Sequence, residues 1–231
     1  MANQTVVPPG GQFQLPLTST APLVAFRCSP AFRPYLEEDA KTASIIVDTP
    51  IVYQYIHGAT PVSLSTSGSN ASRSGLGKLN VTVSINNHIF AQTEVPLNVT
   101  GYEIQVDLGC LRAQKTSYNV ICDATYQPET SSVSQKFASN SSLLYLPDTN
   151  ASVVKTDLRT GALWVRPIDG KDGTFKPFIP QGFYISFDKY LETNISYVNQ
   201  LKADGFNTVR FSYACSVVQV HGFADSPNPS L

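Results

Sequence analysis

The chain has 231 residues, 42% of them hydrophobic and only 14% charged, with a formal net charge of −1, against about 25% charged in an average globular chain. That leaves ample apolar material for a core and excludes a charge-driven disordered tail. Without a Lys/Arg run to neutralise phosphates, no nucleic-acid partner is expected, and no stretch of about 20 apolar residues could cross a membrane.

From the start to about residue 147 the sequence is a succession of short β runs broken by turn formers: Gln12–Leu17, Leu23–Cys28, Ser44–Asp48, Ile51–His57, Lys78–Ile85, His88–Val95, Tyr102–Leu108, Tyr118–Tyr126 and Leu143–Leu146. In Leu79-Asn80-Val81-Thr82-Val83-Ser84-Ile85 every second residue is apolar, the signature of a half-buried strand with Asn80 and Thr82 on its wet face. Asn86-Asn87 reads as a hairpin turn, because Asn tolerates positive φ. The Gly/Ser/Asn-rich segment Ser65–Gly77 reads as a loop. Tyr118, Val120, Cys122 and Ala124 form one inward face; Tyr118 is too far from Cys122 for a tyrosine corner. Many strands at short spacing without helical periodicity predict a mainly β fold, an immunoglobulin-like β-sandwich over residues 1–150.

After Pro147 the pattern changes. Val153–Leu158 and Ala162–Arg166 form a hairpin through Arg159-Thr160-Gly161, within a connecting segment 151–174. The run Phe175–Phe187 is too aromatic and Pro-punctuated for a helix. A helix is expected over Lys189–Ala203, with Leu191, Ile195, Val198, Leu201 and Lys202 on one arc, Asp188 as N-cap and Gly205 as its stop. Phe206–Phe211 reads as a strand, so residues 175–211 form a βαβ unit, followed by an irregular tail, 212–231.

Seven Asn-X-Ser/Thr sequons occur, at Asn3, Asn70, Asn80, Asn98, Asn140, Asn150 and Asn194, where a random chain would hold about one or two. The first six are the expected glycosylation sites; Asn194 falls on the flank of the expected helix stripe, where a glycan would strain packing. Sequons and low charge point to an extracellular, secreted protein. The start lacks a basic region and an apolar core, so the expectation is a chain that begins downstream of its signal peptide. The four cysteines, Cys28, Cys110, Cys122 and Cys215, include no CxxC and no zinc spacing, and no metal or other cofactor is expected. Cys110 and Cys122 flank a polar segment between two apolar runs, which favours a disulfide closing a hairpin; Cys28–Cys122 across two sheets is the alternative.

Lys176-Pro177-Phe178-Ile179-Pro180-Gln181-Gly182 resembles the phrase that leads many glycosidases from a β-sandwich into the first strand of a TIM barrel. Leu201-Lys202-Ala203-Asp204-Gly205-Phe206-Asn207-Thr208-Val209 resembles the end of their first helix and their second strand. The stretch from Cys28-Ser29-Pro30-Ala31-Phe32-Arg33-Pro34-Tyr35 to Leu163 is similar to the N-terminal part of secreted fungal proteins with such a barrel. The resemblance implies the front of a glycoside-hydrolase-like protein with a cell-wall polysaccharide as partner. Cleaving a glycosidic bond needs two facing carboxyl groups about 5–9.5 Å apart, and in such barrels they sit on later strands than the two present here. No catalytic residue is therefore expected in this chain.

Tyr184 and Asp188 follow the first strand and would face the mouth of a complete barrel, as substrate contacts. Arg210 has two equal readings, the active-site Arg of such barrels or a tail residue without a role. Residues after Val209 do not continue with a second helix, and the expectation is a gene model running into unspliced sequence there. Glu37-Glu38-Asp39 reads as a solvated loop or helix start rather than a cation site. His57 and His88 lack partners at ligand spacing. Trp164 reads as a plug between domains rather than a sugar platform. The competing functional readings are a non-catalytic extracellular glycan-binding module and an adhesive surface protein.

Overall fold

A computed structural model describes residues 16–64, 76–128, 133–167, 174–213 and 216–220. The protein is mainly β. Its contacts divide it into two interleaved units: residues 1–31, 40–111 and 116–144 form one, and 32–39, 112–115 and 145–231 the other. Residues 32–39 and 112–115 are thus short excursions from the first stretch of chain that belong to the second unit.

The strands in chain order are β1 (Thr18–Ala25), β2 (Arg27–Pro30), β3 (Phe32–Arg33), β4 (Tyr35–Leu36), β5 (Ser44–Asp48), β6 (Ile51–Gln54), β7 (Ala59–Pro61), β8 (Lys78–Ile85), β9 (His88–Pro96), β10 (Tyr102–Gln105), β11 (Tyr118–Tyr126), β12 (Gln135–Leu143), β13 (Tyr145–Leu146), β14 (Val153–Asp157), β15 (Leu163–Arg166), β16 (Lys176–Phe178), β17 (Gly182–Ser186), β18 (Thr208–Tyr213) and β19 (Ser216–Val220). One helix, α1 (Tyr197–Ala203), lies between β17 and β18.

The first unit holds three antiparallel sheets, ordered β6-β1-β7, β10-β5-β2 and β12-β11-β8-β9. Alternation in β8 works as its sequence dictates: Leu79, Val81, Val83 and Ile85 are buried while Asn80 is exposed. Opposite them on β11, Val120, Cys122 and Ala124 close the same apolar face. The β8–β9 turn places Asn86 at φ 50° and Asn87 at φ 65°, the left-handed pair that a two-residue hairpin requires. Ile45, Ile46 and Val47 of β5 are all buried, as a continuous apolar run implies. Strand β12 has no counterpart among the sequence-derived runs. It is an edge strand that buries Phe137 and Leu143 and otherwise presents Ser, Asn, Gln and Lys.

The disulfide joins Cys28 of β2 to Cys122 of β11, with Cα atoms 6.3 Å apart, and Cys110 is free and exposed. This corrects the preference for Cys110–Cys122. The two flanking runs do not form a hairpin: β10 pairs with β5, whereas β11 pairs with β8 and β12. Cys122 faces the buried side of β11, and β2 runs close to β12, where the Cys28 amide donates to Ser139 Oγ at 3.2 Å.

In the second unit β16-β15-β14-β3 form an antiparallel sheet and β13 pairs in parallel with β4. The β14–β15 turn has the expected form, with Gly161 at φ 74° and its amide bonded to the Asp157 carbonyl. β17 and β18 pair in parallel, register Gly182↔Thr208, and β19 adds antiparallel to β18. A strand thus occupies Ser216–Val220, where an irregular tail was expected; residues 221–231 lie outside the described residues.

The helix expected over Lys189–Ala203 is shorter. A single π-helical turn covers Phe187–Leu191, and α1 begins only after Ser196. Asn194 Oδ1 accepts from both the amide and the hydroxyl of Ser196. This Asx-type turn supplies local bonds in place of helical ones. Ser196, not Asp188, therefore holds the N-cap position. Leu191 is buried but Ile195 is exposed, so the proposed stripe does not form. The stop is as expected: Gly205 has φ 92°, its amide bonds the Lys202 carbonyl and the Phe206 amide bonds that of Leu201, the two bonds of a Schellman motif.

Candidate functional site

The two phrases singled out in the sequence meet at the start of the parallel pair β17–β18. Asn207 Oδ1 accepts the Gln181 amide at 2.7 Å, and its Nδ2 donates to the Ile179 carbonyl at 2.9 Å. The amides of Asn207 and Thr208 both donate to the Gln181 carbonyl, at 3.0 and 3.2 Å. Asn207 thus grips the segment entering β17 as an extra rung of backbone would, and its carboxamide is needed because it donates and accepts together. Gly182 is fixed by the same contact: a Cβ there would fall on the Thr208 carbonyl oxygen, a backbone atom that cannot turn aside. Both residues belong to the stretches that resemble glycosidase sequences, and their physical roles follow from the pairing of the strands. This clasp lies at the N-terminal ends of β17 and β18.

Farther along, Tyr184 of β17 is 62% exposed and stands in register with exposed Arg210 of β18. Asp188 lies in the π-helical turn after β17; its side chain is outside the described atoms. Ile179, Tyr184, Tyr190, Ile195 and Tyr197 are all exposed, and α1 buries none of its residues.

The hairpin β14–β15 carries an unusual inner face. Lys155, Asp157 and Arg166 are buried. Lys155 Nζ bonds both Asp39 carboxylate oxygens, at 2.8 and 2.6 Å, and lies 3.9 Å from the centre of the Phe175 ring. Arg166 donates to both Glu38 oxygens, at 2.7 and 2.9 Å, and to the Thr149 carbonyl. The acidic run at residues 37–39 is a 3₁₀ turn, the helix start of the two expected forms; Glu38 and Asp39 are bonded by Arg166 and Lys155, and Glu37 accepts the Asp148 amide. Burial opposes ionisation of Asp157. The Arg159 side chain, amide and charge, with Thr160, outweigh it and hold the Asp157 pKa below the usual carboxylate value. Trp164 is half-buried on the same hairpin, with its indole N–H buried and without a hydrogen-bond partner.

In the first unit an open cleft of about 420 Å³ is lined by His88, Ile89, Phe90, Asp107, Cys110 and Leu111. Asp107 is the one carboxylate in that lining, and its Oδ1 accepts the Gly109 amide. Glycoside cleavage needs two. His57 is exposed in the turn before β7, away from this lining.

Of the sequons, Asn80, Asn140 and Asn150 are exposed; Asn98 is half-buried at φ 62°, its Oδ1 accepting the Ile51 amide at 3.2 Å. Asn3 and Asn70 lie outside the described residues. Asn194 is exposed in a turn, so the packing objection raised against it on the helical stripe does not hold. Compared with known proteins, the chain matches no family model, no curated protein and no solved structure.

Proposed function

We propose that this chain is the N-terminal portion of a secreted glycoside-hydrolase-like protein acting on polysaccharide. In this reading a β-sandwich is followed by the opening strand, helix and strand of a β/α barrel. The supporting observation is the parallel pairing of β17 with β18 across α1, locked by Asn207 and Gly182, the residues that carry the resemblance. The uncovered apolar side chains around α1 fit a unit whose remaining layers come from further polypeptide. On this reading these residues alone are non-catalytic, since the paired carboxyl groups would come from later strands. The transcript across residues 205–231 tests it. A spliced message continuing into further strand–helix repeats with Asp or Glu at strand ends supports the proposal; one that encodes the same tail and stop codon overturns it.

A non-catalytic glycan-binding module is the second reading, favoured by the uncharged sheet β6-β1-β7 and its exposed tyrosines.

A further inference from the structure

Tyr53 and Tyr55 stand two residues apart on the edge of the sheet β6-β1-β7. Alternation along Tyr53-Gln54-Tyr55 sends both side chains to one face, with Tyr55 one residue past β6, where the Ile56 amide closes a turn on the Gln54 carbonyl. Their exposures are 55% and 58%. The Tyr55 amide donates to the Leu17 carbonyl at 2.8 Å, and Thr18 pairs with Gln54. Leu17 therefore lies opposite Tyr55 and shares its face; it is 79% exposed. Next door, Leu23, Val24 and Ala25 of β1 are fully buried, so apolar packing is available to this sheet and three large side chains are left outside it. Single exposed hydrophobics are ordinary, but a contiguous group with a polar rim marks an interaction surface.

The rim decides the chemistry. No Asp, Glu, Lys or Arg occurs in β1, β6 or β7; Thr60 is exposed and, through Val24 and Ile51, shares the face of Tyr53, whereas Thr18 and Gln54 alternate to the other face. A charged ligand would find no counter-charge, and an anionic lipid surface would require a basic rim. A neutral sugar fits: its C–H face stacks on an aromatic ring while its hydroxyls reach the Thr60 hydroxyl and edge-strand backbone groups. The geometry points to Leu17, Tyr53 and Tyr55 as a stacking platform for a neutral polysaccharide chain, the two tyrosines taking sugar rings along the strand. This inference rests on the polysaccharide reading above and names the surface that carries it.

The test is retention of the full chain on insoluble β-glucan, mannan and chitin, with polygalacturonate as the charged control. Binding to at least one neutral polymer is expected, unchanged at about 0.5 M salt. Tyr53→Ala/Tyr55→Ala should weaken it about tenfold or more, while Tyr53→Phe/Tyr55→Phe stays within about threefold because the rings remain. These side chains are exposed, so an unchanged unfolding midpoint verifies that both variants fold. Equal retention of the wild type and the alanine variant overturns the platform and leaves the polysaccharide reading standing elsewhere on the chain. If the wild type binds none of the neutral polymers, both fail. An alanine variant that alters only the elution volume of the chain makes this face a self-association surface and overturns the platform.

Discussion

Asp39→Ala probes the buried charges of the second unit most directly. It removes the carboxylate whose oxygens lie 2.8 and 2.6 Å from Lys155 Nζ, and the acceptor of the Leu36 amide at 2.7 Å. Lys155 would remain 6% exposed, facing Glu38 at 4.0 Å, a carboxylate already bonded twice by Arg166. Stripping one partner from a buried ion pair costs about 3–5 kcal/mol. The Asp39 side chain is 21% exposed, which places the expected cost near the lower end, at about 3 kcal/mol. Lys155→Met leaves a carboxylate that water and the Leu36 amide still serve, and should cost about 1–2 kcal/mol. The double variant should be more stable than Asp39→Ala alone, which requires a coupling larger than the cost of Lys155→Met, about 2–3 kcal/mol. Trp164, the only tryptophan, is the cross-strand neighbour of Lys155, so its fluorescence during urea unfolding reports this unit. A cost below about 1 kcal/mol for Asp39→Ala, with additive behaviour in the double variant, would refute the argument and make the contact an ordinary surface pair.

The disulfide closes a separation of 94 residues, so Cys28→Ala/Cys122→Ala should cost about 4–5 kcal/mol on the chain-entropy model, and Cys110→Ser less than about 0.5 kcal/mol. Non-reducing peptide mapping checks the pairing: a peptide linking Cys110 to Cys122 would contradict it. Gly182→Ala must push the Thr208 carbonyl away and should cost about 2–4 kcal/mol; unchanged amide protection over Thr208–Tyr213 would count against the clasp. Because the folded-state pKa of Asp157 is depressed, its contribution is full above the unfolded carboxylate pKa and is lost as pH falls through the folded value. Asp157→Asn should therefore flatten the acid limb of a stability–pH profile, and an unaltered limb would show the carboxylate uninvolved.

What could be read from the sequence was what local rules decide. Alternation marked β8, the Asn86-Asn87 pair marked its turn, and Gly205 marked the end of α1. Each is fixed by residues within a few positions. What failed depended on partners distant in the chain. Strand β12 was missed because an edge strand needs few apolar residues, and Ser139 to Ser142 resemble a loop until β11 pairs with them. Cys110 and Cys122 are near in sequence but belong to different parts of the pairing scheme, so proximity pointed to the wrong bridge. The inner face of β14 and β15 inverts the usual pattern: Lys155 and Arg166 are buried only because Glu38 and Asp39 arrive from more than a hundred residues away. The helix was drawn too long because periodicity counted Ile195 but not the turn that Asn194 makes with Ser196. Of the expected contacts, Tyr184 is exposed in register with Arg210, whereas Tyr53 and Tyr55 gave no sequence signal, because Ile51 to Ile56 reads as a strand whichever face is wet.

One measurement addresses the proposal as a whole: the size and activity of the native protein recovered from culture medium with an antibody against β8–β11. The account predicts a glycoprotein well above the mass of the bare 231-residue chain, shortened by deglycosylation and co-eluting with release of sugar from polysaccharide. A band at the bare-chain mass, unshifted by deglycosylation and without such activity, would contradict it.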